Sequence, residues 1–234
     1  MTRTPDHTAP ADRLAPDASR LTAVLRVTEI FFSLQGETSR AGLPTVFIRL
    51  TGCPLRCGYC DTAYAFHGGT TQSLSDILNA VARHRTRYVT VTGGEPLAQK
   101  HCPELLESLC DRGYSVSLET GGAIDVSQVD ARVSKILDIK TPGSGEAGRN
   151  LWSNLAQLGA QDEIKFVICN EADYIWAKQA LVEHKLDAIC PVLFSPSYRE
   201  LPAVTLADWI LRDELPVRLQ IQLHKSLWGE QRGV

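Results

Sequence analysis

Charge of one sign is what this sequence conspicuously lacks: 24 Lys and Arg face 27 Asp and Glu, for a formal net charge of −3. The clustered basic surplus that binds a phosphate backbone is missing, so nucleic acid is not an expected partner. Long apolar runs are missing as well. The first such stretch, Leu21 to Leu25, is too short to cross a bilayer or to form a signal-peptide core, so a cytoplasmic protein with no membrane partner is expected. The seven cysteines do not form the even, paired framework of a small secreted domain; three of them fall within eight positions, which in a reducing compartment points to metal. There is no internal repeat, and no linker within 23–234 that could separate two domains.

What is present suits one folded catalytic domain. Hydrophobic residues make up 44% and charged residues 22% of the 234 positions, enough for a substantial core and unlike a disordered chain. Residues 1–22, rich in Pro, Ala, Asp and Thr, are expected to be a flexible tail, and 23–234 the catalytic domain. Apolar runs predict strands at 26–32, 45–50, 88–92, 115–119, 135–140, 163–168, 189–194 and 218–223, most of them apolar on both faces. Between them, Ser73 and Asp76 make a helix start ahead of the stripe Leu74, Ile77, Leu78 and Val81, and further helices are expected at 103–111, 171–184 and 206–215. The alternation gives an α/β fold with a mainly parallel sheet. Too few β/α pairs fit for a closed eightfold barrel, so a partial, open β/α barrel is predicted.

The run Gly52-Cys53-Pro54-Leu55-Arg56-Cys57-Gly58-Tyr59-Cys60-Asp61-Thr62 puts three thiols on one loop beyond a strand's carboxyl end, where α/β folds place their sites. Soft thiolates at this spacing can wrap one corner of a four-iron cluster, and three ligands leave one iron open to chelate a small molecule. A zinc site is the alternative, but structural zinc is usually closed by four ligands, and His67 is the only further candidate nearby. Unliganded thiols are the other. Cys102, Cys110, Cys169 and Cys190 stand singly and read as small buried hydrophobes. One β/α unit later comes Thr92-Gly93-Gly94-Glu95-Pro96, whose paired glycines allow either close approach of a ligand or simply a tight turn. Arg49, on the strand before the cysteine loop, offers a two-point fork to a carboxylate; a structural ion pair is the alternative.

With Leu34-Gln35-Gly36-Glu37, Phe47-Ile48-Arg49-Leu50, Cys60-Asp61-Thr62, the segment from Leu137-Asp138-Ile139-Lys140 to Glu146, and Gln222-Leu223-His224-Lys225, these motifs resemble the 7-carboxy-7-deazaguanine synthase family of the radical S-adenosylmethionine (SAM) superfamily, over about 26–228. The resemblance implies conversion of 6-carboxy-5,6,7,8-tetrahydropterin to 7-carboxy-7-deazaguanine with loss of ammonia, on a route to queuosine and other 7-deazapurines. SAM would be split to a 5′-deoxyadenosyl radical that takes hydrogen from C6 of the pterin and later recovers it. Also implied are a [4Fe-4S] cluster on Cys53, Cys57 and Cys60, and Mg²⁺ on Thr62. Leu34, Gln35, Gly36, Glu37, Arg49 and Thr92 are implied as substrate contacts. Tyr59, Cys60, Asp61, Gly94, Glu95, Asp138, Ile139, Lys140, Leu193, Phe194, Ser195 and Pro196 are implied to hold SAM. A reductant such as flavodoxin or ferredoxin, and a homodimer, complete the expectation. The chain runs past Trp228 to Gly-Glu-Gln-Arg-Gly-Val, so the family's contact between a terminal carboxylate and the substrate is not carried over. A glycyl-radical-enzyme activase and a non-catalytic iron–sulfur or zinc protein are the competing readings.

Overall fold

A computed structural model describes residues 23–234; the expected tail at 1–22 lies outside the described residues. Nine strands form one open sheet in the order β3-β1-β2-β4-β5-β6-β7-β8-β9. They are β1 (Val24–Leu34), β2 (Pro44–Leu50), β3 (Thr70–Ser73), β4 (Tyr88–Gly93), β5 (Ser115–Thr120), β6 (Ser134–Ile139), β7 (Glu163–Ile168), β8 (Val192–Pro196) and β9 (Arg218–Leu219). From β2 onward every neighbouring pair is parallel, while β1 runs antiparallel to both β2 and β3. The α/β class and the open, mainly parallel sheet are therefore as expected.

The helices α1 (Leu74–Ala82), α2 (Cys102–Asp111), α3 (Glu171–Glu183) and α4 (Ala203–Arg212) follow from local chemistry. Ser73 Oγ accepts from the Asp76 amide at 3.1 Å and starts α1, whose stripe Leu74, Ile77, Leu78 and Val81 is buried. Asn170 caps α3 in the same way, accepting from the Asp173 amide at 3.0 Å. One face of the sheet packs on these helices. Val46, Ile48, Val89, Val91, Val116 and Leu118 meet α1 and α2 in one apolar cluster, and Ile139, Ile164, Phe166, Ile168 and Phe194 meet α3 and α4 in a second.

The other face carries a polar row, which corrects the expectation that most strands are apolar on both faces. Arg49, Thr92, Glu119, Asp138 and Lys165 all reach a common cavity from β2, β4, β5, β6 and β7. Side chains alternate along a strand, so a run whose odd members fill the core can carry a polar row on its even members without breaking its apolar average. Two strand boundaries also change. The strand expected at 189–194 begins only at Val192, because the Ile189 and Cys190 amides turn back to the Leu186 carbonyl at 3.0 and 3.3 Å. The strand expected at 218–223 ends at Leu219; the Leu223 amide donates to Gly36 O at 2.9 Å, and the chain winds into α5 (Leu223–Trp228). β3 was not anticipated, since Thr70-Thr71-Gln72-Ser73 contains no apolar residue. Cys102, Cys110 and Cys190 are buried as expected, but Cys169 is only part-buried, and its amide donates to Asp173 Oδ2 at 3.1 Å.

Candidate active site

The cysteine loop leaves the end of β2 and lies against the turn after β4. Gly94 N donates to Leu50 O at 3.1 Å, and Glu95 N to Gly52 O at 2.8 Å. A Cβ on Gly94 would stand 2.1 Å from Gly52 O, and one on Gly93, at φ +143°, would stand 2.2 Å from Leu50 O. The paired glycines are thus required by the contact between two protein loops, a third possibility beside the ligand and the bare turn. Glu95 secures the far side of this turn. Fully buried, it accepts from Leu97 N (3.0 Å), Gly121 N (2.7 Å) and Thr120 Oγ1 (2.9 Å), while burial raises its pKa above the ordinary carboxylate value.

The segment after β6 holds the cysteine loop from the other side. Gly58 N donates to Ser144 O at 3.0 Å and Arg56 N to Glu146 Oε1 at 2.6 Å. Cys53, Cys57 and Cys60 are unpaired, part-exposed and on the wall of one cavity of about 470 Å³. Burial pushes the Cys57 thiol up to about 11, against the opposing pull of the Lys140 ammonium. Among the described residues, no three His, Cys, Asp or Glu side chains converge on a point that could hold a single metal ion. Thiolates that each take a different iron need no such convergence, so the three-sulfur donor set still fits a cluster. Thr62 Oγ1 lies 3.8 Å from Cys60 Sγ at the same wall.

Along the inner face the polar row is tied together. Lys165 pairs with Glu37 and lies 3.9 Å from Asp138, which pairs with Lys140 at 3.0 Å. Burial opposes the charge on Glu37, but the Lys165 ammonium and a 2.8 Å hydrogen bond from Gln222 overcome it and hold the carboxyl at about 2. Glu119 accepts from Thr92 Oγ1 at 2.8 Å and Gln35 Nε2 at 3.5 Å, while burial and the Glu37 charge raise its pKa. Asp138 Oδ1 and the Tyr59 hydroxyl are buried without a hydrogen-bond partner, and burial together with Asp138 pushes the Tyr59 pKa up. Arg49 donates through Nε to Glu29 Oε1 at 2.7 Å, and among the described residues its two Nη groups have no acceptor.

The C-terminal segment crosses the mouth. Lys225 reaches Asp61 at 3.3 Å, Arg199 reaches Glu230 at 3.0 Å, and His224 packs so closely on Gly36 that a Cβ there would meet Nδ1 at 2.1 Å. Of the residues the sequence singled out, most line this one cavity; Ile139, Leu193 and Phe194 do not, and all three are buried away from its wall. The Gln35 amide is already engaged with Thr90, Glu119 and the Glu37 amide. Glu119, Lys165, Phe31, Tyr198 and Gln222 also line the cavity, and sequence reasoning missed their part in it. Only the two-residue alternation of Thr90/Thr92, Ser117/Glu119 and Glu163/Lys165 could have signalled the first two.

Comparison with known proteins identifies the family to which the chain belongs. Residues 47–139 match the family model described as the Radical SAM superfamily. The 7-carboxy-7-deazaguanine synthase of Chlorobaculum tepidum is 45% identical, over 91% of this chain and 98% of the relative. That of Koribacter versatilis is 41% identical, over 90% of this chain and its own full length. The crystal structure of QueE from Escherichia coli superposes with a TM-score of 0.71 at 23% identity, covering 86% of this chain and 95% of that one, a likeness of fold.

The Glu37–Lys165 pair carries a pH signature. With a folded pKa near 2 against an ordinary 4.5, Glu37 contributes stability that is fully present above about 4.5 and is lost as pH falls towards 2. Thermal melts of the wild type and Glu37→Gln across that window should show the variant less stable at neutral pH and with a shallower acid loss; parallel curves would remove Glu37 from the explanation.

Proposed function

Because the chain belongs to the 7-carboxy-7-deazaguanine synthase family of radical SAM lyases, we propose that it converts 6-carboxy-5,6,7,8-tetrahydropterin to 7-carboxy-7-deazaguanine with release of ammonia. The observation that carries this reading is that one cavity joins three unpaired thiols to Arg49 and to the part-buried row Glu119, Glu37, Lys165 and Asp138. When bound to Cys53, Cys57 and Cys60, a [4Fe-4S] cluster with SAM supplies the 5′-deoxyadenosyl radical chemistry.

The chain's own groups then have assignable tasks. Arg49 offers the substrate carboxylate a guanidinium on the strand that leads into the cysteine loop. Glu119, steadied by Thr92 and Gln35, presents a carboxylate to the amino and amide N–H groups of a pterin, and Lys165 offers a donor beside it. Asp138 Oδ1 and the Tyr59 hydroxyl, both without partners, suit a polar part of SAM. The C-terminal segment, pinned through Lys225 and Glu230, limits access of water and favours a small substrate over the peptide loop an activase must admit. Thr62 contributes a hard oxygen for Mg²⁺, an external flavodoxin or ferredoxin supplies the electron, and the working form is a homodimer.

Cys57→Ala should lose the brown iron–sulfur absorbance or leave a cluster that does not cleave SAM, since among the described residues no spare thiol lines the cavity; a fully active variant would sink the assignment. If Thr62 serves Mg²⁺, chelation should stop turnover, added Mg²⁺ should restore it, and Thr62→Val should weaken the restoration while the cluster spectrum stays intact. Arg49→Ala should lower kcat/KM for the carboxypterin roughly thirty- to several-thousand-fold, a loss of about 2–5 kcal/mol, in steady-state anaerobic assays. Wild-type turnover would move the carboxylate elsewhere.

A further inference from the structure

β1 does not run evenly beside β2. Val27 pairs with Leu50 and Glu29 with Arg49, so two steps along β1 match one along β2, and Thr28 is the extra residue of a β-bulge. The bulge reverses the phase of the strand. Before it, Leu25 and Val27 point into the helix-side core; after it, Ile30 packs against that core, while Phe31 lines the cavity and stacks on Phe47 at 4.9 Å. Glu29 shares the phase of Phe31 and therefore faces Arg49. Thr28 Oγ1 lies 2.7 Å from Thr51 Oγ1, and the Thr51 amide donates to Arg26 O at 2.9 Å, so the irregularity is bonded on the β2 side.

The Glu29 carboxylate then meets two donors through one oxygen. Oε1 accepts from Arg49 Nε at 2.7 Å and from the Tyr64 hydroxyl at 2.7 Å. Burial first, and then donation to Glu29, push the Tyr64 pKa up to about 12, so it stays a phenol and a donor. Its ring is flanked by the guanidinium carbons of Arg49 and Arg232, at 5.8 and 4.1 Å from the centroid, and Phe31 stands 5.7 Å from the Arg49 carbon. Among the described residues, nothing accepts a hydrogen bond from the two Nη groups of Arg49.

We propose that Glu29 is a positioning residue for Arg49, carried onto the cavity face by the bulge at Thr28 and braced by Tyr64, so that Arg49 meets a carboxylate end-on through its Nη pair. The inference rests on the reading that Arg49 receives the substrate carboxylate. Guanidinium side chains have several rotatable bonds, and a fork that must meet a planar anion gains from having its Nε edge already committed. A β-bulge beside an active site commonly re-aims one side chain, and here that side chain is Glu29.

The test is a double-mutant cycle on the reconstituted, SAM-bound enzyme, with the dissociation constant of 6-carboxytetrahydropterin measured by anaerobic calorimetry and cluster absorbance confirming that each variant is loaded. Glu29→Ala should weaken binding about tenfold, and Glu29→Gln, which keeps an acceptor at the same place, should recover most of that. In the Arg49→Ala background, Glu29→Ala should change binding less than about twofold. Tetrahydropterin lacking the carboxylate should bind wild type and Glu29→Ala alike. Equal factors in both backgrounds, or unchanged binding by Glu29→Ala, overturn the positioning role while leaving Arg49's own role standing. Undiminished binding by Arg49→Ala overturns the reading on which the inference rests.

Discussion

The cavity depends on one part-buried cation, Lys165. Lys165 projects from the middle of β7 into the cavity with its side chain 12% exposed, where an unpaired ammonium would be poorly solvated. It is kept charged by Glu37 and by Asp138 on the neighbouring strand. Each partner fixes a different part of the chain. Glu37 holds the turn that follows β1 and, through Gln222, the start of the C-terminal segment, while Asp138 holds Lys140 beneath the cysteine loop. The pair is demanding more than it is stabilising, since a buried ion pair seldom outperforms apolar packing of the same volume. A polar ligand able to replace water around it explains why such a row occupies a cavity rather than a core.

A second constraint acts through absence of side chains. The cysteine loop and the turn after β4 touch backbone to backbone, at distances that leave no space for a Cβ at Gly93 or Gly94. This closeness lets one loop's amides serve the other loop's carbonyls, so the three thiols sit on a rigid base although the loop has little regular structure.

The cysteine spacing, the Gly-Gly turn, the Ser73 helix cap and the α/β alternation were legible in the sequence because each is a local pattern with a local cause. The polar row was not. Arg49, Thr92 and Asp138 were picked out one by one through the family resemblance, but Glu119 and Lys165 were not, and only the assembled sheet sets all five side by side. Glu29 was hidden more deeply, since a bulge breaks the period-two reading at the very residue that matters. The end of the chain misled for a related reason: Leu219, Ile221 and Leu223 alternate like a strand, but the chain leaves β8 after Gln220 and the Leu223 amide bonds to Gly36.

One register therefore serves two tasks. On β2 and β4, Arg49 pairs with Thr92 and Leu50 with Gly93. The first pair faces the cavity; the second joins the cysteine loop to the glycine turn. Because side chains alternate, a slip of one residue would turn Arg49 towards the helices and, in the direction that brings Thr92 opposite Leu50, would also set a Cβ against the Leu50 backbone. Neither error is tolerable in a packed sheet, and each excludes the other's cause. The group that would hold a carboxylate and the loop that carries the thiols are thus kept at a constant separation by adjacent residues of two strands, with the bulge in β1 adding a fixed aim from the opposite side.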